Sequence, residues 1–259
     1  MSGPLAGKRV VVTRAEAQAD EFINMLRQAG AAPILFPTIE IQQIPDNQAL
    51  DSALSNLKDY DWIIFTSTNG VRIVLDRMVA LSLSPAALNG FHIAVIGPAT
   101  EMSLRKYKIK VDIQPQEYVA EALYNTLITK GLVAGQRCLL LRANIARPVL
   151  REQLIAFGAK VDEIAVYHTL LGKPTPEAYA QLRAGVDIIT FTSSSTVRNF
   201  FELLGDEAQS ILDGARVVCI GPVTAETFQK LSAGKRGPAI AAEYTIVGLM
   251  AILERSVRS

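Results

Sequence analysis

The chain repeats itself. Asp61 to Arg72, DWIIFTSTNGVR, aligns with Asp187 to Arg198, DIITFTSSSTVR, at a constant offset of 126 residues. The identities are Asp61 with Asp187, Ile63 with Ile189, Phe65 with Phe191, Thr66 with Thr192, Ser67 with Ser193, Val71 with Val197 and Arg72 with Arg198. Such a repeat narrows the possible folds to those made from two copies of one supersecondary unit. In each copy a short, mostly apolar run (Trp62 to Phe65, Ile188 to Phe191) enters a hydroxyl-rich turn and then an amphipathic helix. The second helix carries Val197, Phe200, Phe201 and Leu204 on its apolar face. Ser and Thr suit the turn because their oxygens accept from the unpaired N–H groups of a helix's first turn. The remaining N–H groups and the helix dipole favour an anion at the same place.

Further matches occur in the same order. Gly135 to Arg142, GQRCLLLR, echoes Gly7 to Arg14, GKRVVVTR, at an offset of 128. Leu154, Gly158 and Ala159 match Leu26, Gly30 and Ala31 at that offset. The Gly221-Pro222-Val223-Thr224 segment repeats Gly97-Pro98-Ala99-Thr100, and Glu243-Tyr244 and Leu249 match Glu117-Tyr118 and Leu123. The pattern between these points predicts a helix over 15–30, a strand over 32–41 broken by Pro37, a strand over 110–113, a helix over 118–129 and a strand over 160–169. Strands alternate with helices throughout, so the expected class is α/β: two similar domains, each a parallel sheet of about five strands flanked by helices. Pro37 and the stretch near Tyr167 read as exits from a sheet. The expected organisation is therefore discontinuous, with residues 1–38 and 172–259 in a first domain and 39–171 in a second. The chain would cross between them through Thr38–Ile41 and Tyr167–Thr169.

Bulk properties exclude several function classes. Hydrophobic residues make up 49% of the 259 residues and charged ones 20%, enough for substantial cores. A formal net charge of +1 provides no global field for nucleic acid or an anionic membrane. The opening stretch MSGPLAGKRVVVTR lacks the apolar core of a signal peptide, and no apolar run approaches the roughly 18–20 residues of a membrane span. Cys138 and Cys219 each sit in an apolar run and read as buried thiols. A cytoplasmic location is the expectation.

Ligands of open parallel sheets bind beyond the carboxyl ends of the strands. Those positions are Thr13-Arg14, Thr66-Ser67-Thr68, Gly97 to Thr100, Arg142, Thr192 to Ser195 and Gly221 to Thr224. They supply hydroxyls, helix N-termini and two arginines, but few acids or bases. If two domains face one another, such a lining suits a ligand bearing several carboxylates. Each Ser or Thr could equally be a simple helix cap, and Arg14 and Arg142 could pair with surface acids. Tyr167 lies at the second crossing, where its hydroxyl could donate to a leaving group or merely end a strand. His92 and His168 have no partners in metal-ligand spacing. No GxGxxG, GxxxxGK[ST] or GxSxG motif occurs in the context that would give it meaning.

FTSxxxV after a strand, IGPxT opening a helix, a tyrosine at the second crossing and the duplicated α/β halves together resemble the uroporphyrinogen-III synthase family over nearly the whole chain. The resemblance implies two α/β domains joined by a two-stranded linker. It implies a lyase of tetrapyrrole (porphyrin) biosynthesis that cyclises linear hydroxymethylbilane to uroporphyrinogen III with inversion of the terminal pyrrole ring. No cofactor or metal is implied. By resemblance Tyr167 matches the tyrosine proposed to assist hydroxide departure. Thr224 and Ser193 or Ser194 match substrate-contacting positions, and Thr66, Ser67 and Thr100 are their counterparts in the other half. Arg14 and Arg142 are added as carboxylate partners. The partner implied is a small polycarboxylate, a linear tetrapyrrole, with no nucleic acid or membrane, and a monomer is expected. Two other readings share parts of the pattern: a non-catalytic two-lobed small-molecule receptor, and a flavin-binding protein whose hydroxyl-rich turns hold a phosphate.

Overall fold

The architecture is that of a computed structural model, which describes residues 3–132, 134–232 and 237–256. Met1 and Ser2 of the opening stretch lie outside the described residues, as do the last three residues of the chain.

The chain begins with β1 (Arg9–Val12), α1 (Asp20–Gln28), β2 (Ala32–Leu35), β3 (Ile39–Gln43) and α2 (Gln48–Ser55). It continues through β4 (Trp62–Phe65), α3 (Thr68–Ala80), β5 (His92–Val95), α4 (Pro98–Arg105) and α5 (Ala120–Lys130). The middle holds β6 (Arg137–Ala143), α6 (Val149–Phe157), β7 (Lys160–Leu171), α7 (Pro176–Arg183) and β8 (Ile188–Phe191). It ends with α8 (Ser194–Leu204), α9 (Glu207–Asp213), β9 (Arg216–Cys219), α10 (Pro222–Leu231), β10 (Ala239–Ile240) and α11 (Ile246–Ser256).

Two compact units result, Met1–Glu40 with Leu170–Ser259, and Ile41–Thr169. The first unit contains a five-stranded sheet in the order β10-β9-β8-β1-β2, and the second sheet runs β3-β7-β6-β4-β5. The parallel pairings run β2 to β1, β1 to β8 and β8 to β9 in the first sheet, and β7 to β6, β6 to β4 and β4 to β5 in the second. Strands that match by sequence thus hold equivalent places: β1 and β6, β2 and β7, β8 and β4, β9 and β5. Each sheet takes its first pair from one half of the sequence and its next pair from the other half.

Alternation along the strands explains the layers. A strand's successive side chains face opposite sides. In the first sheet Val10 and Val12 pack with Phe22, Leu26, Leu249 and Leu253, while Val11 packs with Phe36, Phe191, Val197 and Phe200. In the second, Trp62 and Ile64 join Leu123, Leu127, Leu150 and Leu154, and Ile63 and Phe65 join Leu54, Val71, Met78 and Leu104. Both faces are apolar and both are covered by helices, as parallel sheets require.

The repeated residues have visible local reasons. Asp61 and Asp187 each hold the first residue of the neighbouring strand: Oδ2 accepts from Arg137 N and from Arg9 N respectively, both at 2.8 Å. Leu26-Gly30-Ala31 and Leu154-Gly158-Ala159 end their helices identically. Gly30 and Gly158 take positive φ (85° and 102°), and the next N–H returns to the Leu26 or Leu154 carbonyl at 3.0 Å. Glycine adopts that turn without the steric cost of a Cβ.

Three expectations change in detail. The helix expected over 15–30 is a short 3-10 turn, Glu16–Gln18, followed by α1, because Ala15 is extended (ψ 137°). The strand expected over 32–41 is two strands, each at the edge of a different sheet, separated around Pro37, a residue that sheets tolerate at their edges. The strand expected over 110–113 reduces to a bridge between Ala94 and Ile113.

Candidate functional site

Both sheets change winding direction beside the strand that begins each repeat, between β1 and β8 in the first and between β6 and β4 in the second. Crevices at such switch points, outside the carboxyl ends of the strands, are where open α/β sheets bind ligands.

In the second unit β4 delivers Thr66 and Ser67 to this end. Ser67 is extended and caps α3, its Oγ accepting from Gly70 N at 3.0 Å. The same Oγ lies 2.9 Å from the Tyr167 hydroxyl. The Asn69 side chain also bonds that hydroxyl. Tyr167 is 5% exposed. Burial pushes its phenol pKa up, while the bonds from Ser67 and Asn69 and the charge of Arg142 act the other way. The phenol is therefore neutral near pH 7 and carries a proton to give.

A register shift sets this meeting. Arg142 of β6 pairs with Ala165, but Ala143 pairs with Tyr167, so Val166 is an extra residue in β7. Ile164 and Val166 face the core beneath α3, and strict alternation would send Tyr167 to the other face. The bulge keeps Tyr167 on the same side, in that core.

Thr100 is buried in the first turn of α4, with its N–H bonded to Gly97 O at 3.1 Å. Arg142 is 3% exposed. Its Nη1 lies 3.6 Å from Glu163 Oε2, and Nη2 donates to the Arg147 carbonyl. Nε and Nη1 have no hydrogen-bond partner, so two donor nitrogens remain unsatisfied. Burial lowers the guanidinium pKa, opposed by Glu163, yet arginine stays charged in proteins.

In the first unit Ser193 caps α8 through a reciprocal box: Ser193 Oγ accepts from Thr196 N, and Thr196 Oγ1 from Ser193 N, both at 3.2 Å. Ser194 Oγ donates to Val223 O at 3.3 Å and sits 2.7 Å from Thr227 Oγ1. Thr224 is buried in the first turn of α10. Arg14 is half-buried, with Nε 3.4 Å from Gln18 Oε1; burial lowers its pKa and Glu21 opposes this. Beside them a buried lattice joins the strand ends. Thr13 Oγ1 donates to Thr190 O at 2.7 Å, and Thr38 Oγ1 lies 3.1 Å from both Thr13 O and Thr196 O.

The structure thus brings Ser67 and Tyr167 together within one unit and groups Ser193, Ser194 and Thr224 at the strand ends of the other. Sequence reasoning missed Asn69. It also missed that Tyr118 and Tyr244 pack on Gly97 and Gly221, where an added Cβ would approach ring atoms at 3.6 and 3.3 Å. The repeat itself was the signal for that pair. Cys138 and Cys219 are buried and their thiols are pushed up to about 12 by that burial. Among the described residues no group of three or more His, Cys, Asp or Glu could hold a metal ion. No described helix is long and apolar enough to cross a membrane.

Parallel sheets wound on both faces, with capped helix N-termini and hydroxyls gathered at the strand ends, define a duplicated α/β protein of the ligand-binding, doubly wound type. The family profile described as "Uroporphyrinogen-III synthase HemD" matches residues 20–251. A uroporphyrinogen-III synthase from Synechococcus elongatus is 37% identical, over 98% of this chain and 97% of the relative. A putative uroporphyrinogen-III synthase from Methanocaldococcus jannaschii is 35% identical, over 95% and 97%. The crystal structure of a mutant uroporphyrinogen III synthase from Thermus thermophilus shares the fold, with a TM-score of 0.68 at 19% identity over 97% of this chain and 99% of that one. The chain belongs to the uroporphyrinogen-III synthase family.

Proposed function

We propose that this chain cyclises hydroxymethylbilane to uroporphyrinogen III, as a lyase that removes water and inverts the terminal ring. Beyond the family relationship, the observation that carries the reading is the buried, neutral Tyr167 phenol held by Ser67 at 2.9 Å. The C–O bond of the terminal hydroxymethyl group breaks as the Tyr167 O–H protonates the departing oxygen, giving water, an azafulvenium cation and a phenolate. The substituted carbon of the last ring attacks the cation and forms a spiro intermediate. Fragmentation regenerates an azafulvenium, which recloses at the free position. The ring proton lost there returns to the phenolate. Every step is ionic, so the chemistry asks for no redox group.

Most of the rate enhancement is assigned to positioning, which can lower a barrier by several kcal/mol, on the order of 7–11 at the upper end. Thr66, Thr100, Ser193, Ser194 and Thr224, at helix starts, are assigned to the substrate's carboxylates together with Arg14 and Arg142, and the Ser67 hydroxyl is assigned to Tyr167. Helix N-termini supply N–H donors and a favourable dipole for anions. Arg142 fits this role through its two unsatisfied donor nitrogens. The site is proposed to operate in a monomer.

The test is incubation with freshly generated hydroxymethylbilane, oxidation of the product and separation of the porphyrin isomers. Mostly isomer III is expected. Isomer I alone, at the spontaneous rate, overturns the proposal.

A further inference from the structure

The two copies of the strand-turn-helix unit are not equivalent at the residue that closes the cap. In the first unit Thr196 Oγ1 accepts from Ser193 N, so the backbone N–H of that capping residue is satisfied within its own turn. The residue aligned with Thr196 is Gly70, which has no side chain to complete a box. A Cβ there would lie 3.3 Å from Ser67 Oγ and 3.7 Å from Leu141 O. Ser67 Oγ accepts from the Gly70 N–H, as Ser193 Oγ does from Thr196 N, and in this copy alone a tyrosine hydroxyl, that of Tyr167, lies 2.9 Å from the capping oxygen among the described bonds. Tyr167 also has no counterpart in the first unit: its repeat-equivalent, at the offset of 128, is the buried Ile39.

Donor counting allows this bond to run from Ser67 to Tyr167. A serine hydroxyl has one hydrogen and two lone pairs. Ser67 Oγ accepts from Gly70 N, which leaves its hydrogen to be placed. Asn69 is the other side chain on the phenol oxygen. If Ser67 and the Asn69 amide both donate to that oxygen, its own hydrogen is left for a ligand. The first-turn N–H groups of α3 polarise Ser67 toward donation.

We propose that Ser67 is a positioning residue for Tyr167: its hydroxyl, set by the Gly70 N–H at the start of α3, donates to the phenol oxygen and stabilises the phenolate left when the Tyr167 proton passes to the departing hydroxide. The proton that Tyr167 loses ends in the released water, and the phenolate is reprotonated when the ring proton is lost at closure. The inference rests on Tyr167 being the acid in the reaction above. It also locates the proton transfer in one copy of the duplicated unit, the one whose capping threonine is replaced by glycine.

Three substitutions separate donation from helix capping. Ser67→Ala removes both. Ser67→Asp keeps a good cap but presents an acceptor only. Ser67→Asn keeps the cap and offers an amide donor. The expected result is a kcat lower by about tenfold to a hundredfold for Ser67→Ala and Ser67→Asp, the scale of one charge-assisted donor lost. Ser67→Asn should recover most of the rate, and the Asp variant should melt close to the parent. In a Tyr167→Phe background the Ser67→Asp change should cost little further in kcat. A Ser67→Asp enzyme with parental kcat, or one whose loss is the same with and without the Tyr167 hydroxyl, overturns the role of Ser67. A Tyr167→Phe enzyme with parental kcat overturns the underlying assignment of Tyr167 instead, so the two failures are distinguishable.

Discussion

Gly172→Ala should damage the first unit more than any exposed substitution, and the size of the effect follows from its surroundings. A Cβ at residue 172 would lie 2.0 Å from Pro37 O, 2.6 Å from Thr38 C and 2.7 Å from Ile39 N. These are backbone atoms, so no rotamer relieves the clash. The two segments must separate by about 1 Å or more before contact distances become ordinary. Gly172 N donates to Thr38 O at 2.9 Å, and that bond does not survive such a separation. Thr38 is fully buried and ties β1 to α8, with Oγ1 at 3.1 Å from Thr13 O and Thr196 O, and with Asn199 Nδ2 at 2.8 Å from its carbonyl. Losing one bond and weakening one or two more costs about 2–4 kcal/mol at roughly 1 kcal/mol each plus desolvation. For a unit of this size that is a fall in Tm of roughly 6–15 °C. Far-UV circular dichroism would follow the loss of helix. Trp62, the single tryptophan, lies on β4 in the other unit, so its emission reports that unit separately. A Gly172→Ala protein melting within about a degree of the parent would refute the close-approach argument.

Tyr167→Phe should lower kcat by about 10²–10³, within the usual range for a general acid, with the fold retained, as measured by initial rates of isomer III formation and by circular dichroism. The Asp187 carboxyl, held by Lys8 at 2.9 Å and by Arg9 N, lies below its ordinary pKa. Its contribution is therefore complete above the unfolded value of about 4 and is lost as pH falls through the lower folded value; urea midpoints measured from pH 6 down to 2 should fall less steeply in Asp187→Asn than in the parent. Phe200→Ala should cost about 3–5 kcal/mol in denaturant unfolding, because the ring is fully buried with Phe191 at 5.3 Å and Phe36 at 6.0 Å.

Much of the architecture was legible because it depends on short-range patterns. The strand-turn-helix units at Asp61 and Asp187 are announced by apolar runs and capping residues, and Gly30 and Gly158 mark the ends of two other helices, all local features. Pro37 marked a strand at a sheet edge, where proline is confined. The aspartates that open the two repeats were visible as identities, but their reason was not. Each holds a backbone N–H of a strand 76 or 178 residues away in sequence.

By itself the sequence determined the duplication, the α/β alternation and the hydroxyls at the strand ends, since each rests on periodicity or on a residue's own conformational preference. Only the tertiary structure decided the order and register of the strands within each sheet, because parallel pairing joins segments distant in sequence. It alone decided the face on which Tyr167 emerges. Alternation along β7 would have turned the ring away from Ser67, and the extra residue at Val166, accommodated against β6, turns it back. A bulge is a fit between two strands, so no local run of residues encodes it.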